Sequence, residues 1–406
     1  GVISLGILTL FGMLIYIYFR KIHLVDPGLK TYVVYVGLPL ILLLILVKIL
    51  FSKSTNLKIN FLLMMFSSIL TIYSVEFFLF NQASHIDADM ANKEVAKKSN
   101  VSYDERDKFH VLMDLKKEGK RASLFFFTQL FTYGSFQMPG LSAGINVDSR
   151  KIIPLSGPSQ SDVVYCNETG KWSIYHSDEY GFNNPLLLYN DSVDIVALGD
   201  SFLEGACIAP EDNVMAHIRK KYPGSVNLGK GASGPLVESA IFSEYGQQLH
   251  PKILLWFYYE RNDMGDLEAE THSYYAKYLN ENFTQDLIDY QPQIDRELLA
   301  FVDKALVEGE SHQENQSNAG SKNGRFVSHA KEILKLSRLR DILRMRDNPH
   351  QVNLPVFKEI LAMNKKKMDS WGGKMYLVYL PTYVSLDEKL TQQRRDNLFN
   401  RKELFD

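Results

Sequence analysis

The chain has 406 residues, a net charge of −2 and 46% hydrophobic residues. That length admits two or more domains, and the near-neutral charge gives no support to a surface built for polyanions, so no nucleic-acid partner is expected. No internal repeat of solenoid or propeller period is present.

Three apolar segments come first: Val2 to Phe19, Tyr32 to Phe51 and Phe61 to Phe80. Each is close to the ~20 residues that cross a bilayer as a helix. A secretory signal would be a single short segment. Leu38 to Val47 lacks the polar face of a core helix in a soluble domain. Residues 1–80 are therefore expected to form three transmembrane helices, with the lipid bilayer as the first partner. Glu76 is the one acidic residue inside a span and flags a functional or interfacial role. Lysines and arginines divide almost evenly between the two loops. Asp87 and Asp89 precede the first lysine after the third span, Lys93, which tilts the following domain towards the non-cytoplasmic side. The expected setting is a bacterial inner membrane, multi-pass, with the following domain in the periplasm or otherwise extracytoplasmic.

Residues 81–160 read as a linker and accessory region, with a helix over Tyr103 to Glu118 from the spacing of Phe109, Leu112 and Met113. Val163 to Cys166 and Trp172 to Tyr175 form a predicted hairpin around Asn167-Glu168-Thr169-Gly170. The only cysteines are Cys166 and Cys207. Their spacing leaves open whether they pair, as a non-cytoplasmic domain allows, or stay as buried thiols.

Val193 to Leu198 reads as a short buried strand of the kind that fills a parallel sheet, and Gly199-Asp200-Ser201 follows it. Ser201 is then either a helix N-cap or a nucleophile at the carboxyl end of a strand, where chemistry collects in open α/β sheets. A second strand, Gly224 to Leu228, runs into Gly229-Lys230-Gly231-Ala232-Ser233-Gly234-Pro235. Neither nucleotide-binding glycine pattern is present in that loop. A third strand, Lys252 to Tyr258, ends at Glu260-Arg261-Asn262-Asp263. A hydroxyl, a loop of backbone donors and a side-chain amide at successive strand ends suit acyl transfer.

These blocks resemble the SGNH (GDSL-type) hydrolase superfamily over roughly residues 160 to 406. The resemblance implies a flavodoxin-like three-layer α/β fold with a parallel sheet in residues 161–406. It implies Ser201 as nucleophile, with an oxyanion hole made by its own N–H, an N–H of Gly231 or Ala232, and the Asn262 amide. Two positions depart from the pattern. Glu260 stands where a glycine is usual, and the usual glycine of the second block falls on Ala232, which leaves the choice between Gly231 and Ala232 open.

The family's base is the histidine of an Asp-x-x-His block after the last strand. Asp107 to His110 and Asp347 to His350 both precede the predicted fourth strand, Lys374 to Leu380, and His350 reads as an exposed turn residue. The last strand and the catalytic block are accordingly expected beyond Asp406, leaving this stretch of chain without its base. Residues 266–364 form an insertion, open as a lid or a packing helix, with a polar loop over Glu308 to Gly324 and a helix over Phe326 to Met345. The arginines of that helix read as a solvated face. No cofactor and no metal is expected, since no histidine stands in a zinc-ligand spacing.

The functional expectation is a membrane-anchored serine esterase acting on an ester-bearing glycan or lipid, or on a small acyl ester. The resemblance equally admits a polysaccharide O-acetyltransferase that uses the same serine. Another class is a non-catalytic glycan-binding or assembly subunit, with a partner inside a membrane complex.

Overall fold

A computed structural model describes residues 37–82, 100–128, 144–147, 150–190, 192–315 and 349–381, with short stretches at 92–93, 96–98, 333–336 and 338–339. The chain divides into two units, Gly1–His85 with Gly320–Asp347, and Ile86–Ala319 with Asn348–Asp406.

In the first unit, α1 (Leu38–Phe51) carries Pro39 in its first turn, where a missing N–H costs nothing. It is 14 residues long, shorter than the span expected over Tyr32 to Phe51. Residues 32–36 and the first predicted span lie outside the described residues. α2 (Thr55–Gln82) contains the one described helix long and apolar enough to cross a membrane, the 26 residues Thr55–Phe80. At 1.5 Å per residue this reaches about 39 Å, more than a hydrocarbon core requires. Leu63, Phe66, Leu70 and Phe77 point outward along it. Leu46 and Ile49 of α1 pack on Phe61, Leu62 and Met65 of α2.

Glu76 is fully buried, and its carboxylate accepts the backbone N–H groups of Arg338 and Leu339, both at 2.8 Å. Tyr73 donates to the Leu334 carbonyl at 3.4 Å. The middle of the insertion, which the sequence leaves open as lid or packing helix, is thus hydrogen-bonded to α2.

The second unit is an α/β domain. Its accessory part opens with α3 (Lys108–Lys117), capped by Asp107, and β1 (Ala122–Leu124). β2 (Ile145–Val147) and β3 (Arg150–Ile152) form an antiparallel pair. β4 (Asp162–Val164) lies between β1, to which it is parallel, and β5 (Ile174–His176), to which it is antiparallel. β4 and β5 are the hairpin predicted around Gly170, which takes φ +93°. Val111, Leu112, Phe126 and Leu155 share one core with the strand before Ser201, so the accessory stretch packs as part of the domain.

The main sheet contains four parallel strands in the order β7 (Ser225–Asn227), β6 (Ile195–Leu198), β8 (Ile253–Tyr259) and β9 (Lys374–Leu380). β6 is central and wholly buried, as its continuous apolar run requires. Its alternation divides two cores: Val196 and Leu198 face one, and Ala197 packs with Leu203, Met215 and Phe257 in the other.

Five helices accompany the strands: α4 (Ser201–Glu204), α5 (Val214–Arg219), α6 (Pro235–Ile241), α7 (Asp263–Thr271) and α8 (Gln291–Asn315), before α9 (Pro349–Ser370) leads to β9. α8 runs into the stretch expected as a polar loop from Glu308. It is anchored by buried Ile294, Leu298 and Val302, and continues through Glu and Gln residues of good helix propensity. His350 stands in the first turn of α9 rather than in a loop. The predicted helix over Gln392 to Phe405, residues 316–332, 337 and 340–348, and with them most of the predicted helix over Phe326 to Met345, lie outside the described residues.

Cys166 and Cys207 are disulfide-bonded across a sequence separation of 41 residues. The bridge ties the hairpin to the segment just after α4. Reducing it, or replacing both cysteines by serine, is expected to lower the stability of the domain by about 2–4 kcal/mol through restored freedom of the unfolded chain. Urea unfolding with and without reductant measures this, and an unchanged midpoint would mean that the bridge contributes nothing.

Candidate active site

β6 ends at Gly199, where an added Cβ would lie 3.0 Å from the Cβ atoms of both Leu203 and Phe257. Only glycine lets the strand turn this closely into α4. Asp200, not Ser201, caps that helix: its Oδ1 accepts the Phe202 N–H at 2.9 Å. Ser201 is thereby released from the cap role and takes the first helical position. Among the described residues neither its hydroxyl nor its N–H has a hydrogen-bond partner, and no histidine is bonded to it. The ring of the exposed Phe202 lies 4.4 Å from that of Tyr259 at the end of β8.

The loop after β7 spends nearly all of its donors. Gly229 N–H goes to Asn227 Oδ1 at 2.8 Å, Lys230 N–H to the Gly199 carbonyl at 3.0 Å, and Gly231 N–H to Glu204 Oε2 at 2.6 Å. Ser233 N–H goes to the Lys230 carbonyl at 3.3 Å, and Gly234 N–H to Glu270 Oε1 at 2.5 Å. Ala232 alone keeps an uncommitted N–H, in the left-handed conformation at φ +59°. Its carbonyl accepts from Thr128 Oγ1 at 2.9 Å. Of the two donors left open by the sequence, Gly231 is committed elsewhere and Ala232 is available.

Glu204, three residues after Ser201, sequence reading missed. It is fully buried, and beside Gly231 its carboxylate accepts Tyr165 Oη at 2.9 Å, Tyr175 Oη at 3.2 Å and Lys230 Nζ at 3.1 Å. Lys230 is also buried, with its ammonium 4.1 Å from the centroid of the Phe125 ring. A buried ion pair holds only when every remaining lone pair is used, and here the hairpin tyrosines use them. Burial and the neighbouring Glu204 charge push the Tyr165 hydroxyl far above its usual range, so it remains a donor. No sequence spacing signals this cluster, because its members come from the end of β4, from β5, from α4 and from the loop after β7.

Asn262 follows β8, and its amide donates to Asp266 Oδ2 at 2.9 Å and, more distantly, to Asp200 Oδ2 at 3.5 Å. Its side-chain Oδ1 is buried without a partner, while its backbone carbonyl accepts the Asp266 N–H at 2.8 Å. The structure therefore brings Asn262 beside the Gly199-Asp200-Ser201 turn with its amide turned onto two carboxylates. Glu260, in the place of the usual glycine, is buried and pairs its N–H with the Leu380 carbonyl of β9 at 3.1 Å. Of the two Asp-x-x-His strings, Asp107 to His110 is a helix cap, with the imidazole 2.8 Å from the Asp107 carboxylate. In the other, Asp347 and Asn348 lie outside the described residues. No group of metal-ligating side chains is present among the described residues.

More acids lie behind the site. Burial, with Asp266 and Glu204 adding to it, raises the Asp200 carboxyl above its usual range. Glu270 accepts the N–H groups of Gly234, Leu236 and Val237 at the start of α6, yet burial pushes it up to about 8. Glu238 accepts Trp256 Nε1 at 2.5 Å, and its other oxygen has no partner. Burial and the Asp263 charge hold it well above the carboxylate range. Asp263 accepts the Tyr259 N–H at 2.7 Å, also has one orphaned oxygen, and is raised by burial and Asp200.

No protein-family model, no curated protein and no solved structure matches the chain. What fold and site define is a protein with an apolar helix long enough to span a membrane and an α/β domain with a parallel sheet. Within that domain, three strand ends carry a serine, a backbone donor and an amide.

Two outcomes follow from this geometry. All these raised carboxyls bind their proton more tightly in the folded than in the unfolded chain. Their contribution to stability is complete below the ordinary carboxylate range and is lost as pH rises, through about 8 for Glu270. The thermal midpoint is expected to fall between pH ~5 and ~8, and Glu238→Gln to flatten that slope and raise the midpoint at the alkaline end. Differential scanning calorimetry across the range tests both. Ala232→Gly removes the cost of a Cβ at positive φ, and should raise stability by about 1 kcal/mol in chemical denaturation. A loss of stability would contradict the left-handed assignment.

Proposed function

We propose that the α/β unit is a serine esterase of the SGNH type, tethered to a membrane and acting on an ester-bearing glycan or lipid. The observation that carries this reading is the pair of uncommitted donors, Ser201 N–H and Ala232 N–H, at neighbouring strand ends beside an unbonded Ser201 hydroxyl. Every other N–H of the glycine loop is used, so the free one stands out as a donor reserved for a ligand.

In the proposed reaction Ser201 Oγ attacks the ester carbonyl, and a base takes the hydroxyl proton as the bond forms. The carbonyl oxygen gathers negative charge, which Ser201 N–H and Ala232 N–H receive. The Asn262 amide joins them by exchanging its long contact to Asp200 for the oxyanion. The alcohol leaves with a proton, and water then attacks the acyl-serine and releases the acid. The Cys166–Cys207 bridge supports an oxidising, extracytoplasmic compartment.

The protein in detergent, expressed at its full length so that the base this reading requires is supplied, is expected to be phosphonylated on Ser201 by a fluorophosphonate probe, as read by intact mass and peptide mapping. Ser201→Ala should abolish labelling and lower p-nitrophenyl acetate hydrolysis by about 10⁴-fold or more in the active protein. Asn262→Ala should cost about 10²-fold in kcat. Labelling elsewhere, or none, would overturn the reading. Faster acetyl transfer to a polysaccharide acceptor than to water would make the same site a transferase.

A further inference from the structure

We propose that Glu204 is a positioning residue that decides which backbone N–H serves the oxyanion; this rests on the esterase reading of Ser201. Gly231 and Ala232 are consecutive, and both could offer an N–H to a ligand. Glu204 resolves the competition by binding Gly231 N–H at 2.6 Å, leaving that of Ala232 uncommitted. The same carboxylate stands on the short helix that begins with Ser201, one turn along. One side chain therefore fixes the donor loop to the element that carries the nucleophile.

Two further features argue for position rather than stability alone. An added Cβ on Gly231 would lie 2.7 Å from Tyr165 Oη and 2.9 Å from Phe125 Cζ, so this position, packed against the rings that follow β4 and β1, has no room for a side chain. The ion pair with Lys230 is wholly buried, an arrangement that a well-packed apolar pair of similar volume would often match or better in stability. What an apolar pair cannot do is accept the Gly231 N–H. A donor displaced by about 1 Å costs on the order of 10²-fold in rate, which gives this bond a function beyond holding the fold.

The test compares three variants of the full chain in detergent: Glu204→Gln, Tyr165→Phe and Tyr175→Phe. All remove interactions from one cluster, but only the first alters the acceptor of Gly231 N–H. The readouts are the inactivation constants for fluorophosphonate at Ser201, hydrogen–deuterium exchange of peptides covering 229–236, and the thermal midpoint. Glu204→Gln is expected to lower the maximal inactivation rate by 10- to 100-fold, on the scale of a lost oxyanion donor, with half-saturation unchanged. It should also speed exchange across 229–236. The tyrosine variants should lower the midpoint while keeping the inactivation rate within about threefold, well short of that effect.

If Glu204→Gln reacts like the tyrosine variants, the residue is structural only and the proposal fails. If Glu204→Gln does not fold, the double variant with Lys230→Met, which leaves no unpaired buried charge, must show the same rate loss. Should the unaltered protein itself resist the probe, it is the esterase reading that fails. The Glu204 assignment is then decided by exchange alone, and unchanged protection at 229–236 overturns it.

Discussion

The strand β6 is bonded on both edges, to β7 and β8, and covered on both faces, so none of its backbone groups is left to water or to another strand. That constraint fixes where Gly199 emerges, and everything functional in the domain is referred to that point. The Gly199 carbonyl holds Lys230 N–H, and Asp200 reaches Asn262, so the loops after β7 and β8 are both tied to the turn after β6. A strand end that could slip by one residue would exchange its two faces, and the site would be lost with it.

Around that turn the charges are arranged in two contrasting ways. Glu204 is satisfied on every side by hydroxyls, an ammonium and a peptide N–H. Glu238 and Asp263 each leave an oxygen unmet. The first arrangement suits a group that must be held still. The second suits carboxyls that keep their protons, since a proton supplies the missing partner and removes the repulsion.

Much of the domain was legible in the sequence because it depends on local patterns. The apolar run before Gly199, the glycines after Asn227 and the strand ending at Tyr259 each carry their own signal of period and turn. The hairpin around Gly170 did too. The choice between Gly231 and Ala232 was not legible, because a carboxylate 27 residues earlier makes it, and a glutamate in a short helix reads as an exposed charge. The disulfide stayed open for the same reason, since pairing is a statement about distance. β1 to β5 are too short, at three residues each, to show alternation. The pairing of Glu76 with Arg338 and Leu339 joins residues more than 260 positions apart, and no periodicity reaches that far.

That last pairing has a topological result. Because the insertion returns to α2, the polypeptide passes between its two units at three places, near residues 85, 319 and 347. The Glu76 hydrogen bonds therefore join two stretches of the first unit that the sequence separates by the bulk of the second. A cut in the chain near residue 85 or 319 would leave those two stretches still linked by these bonds.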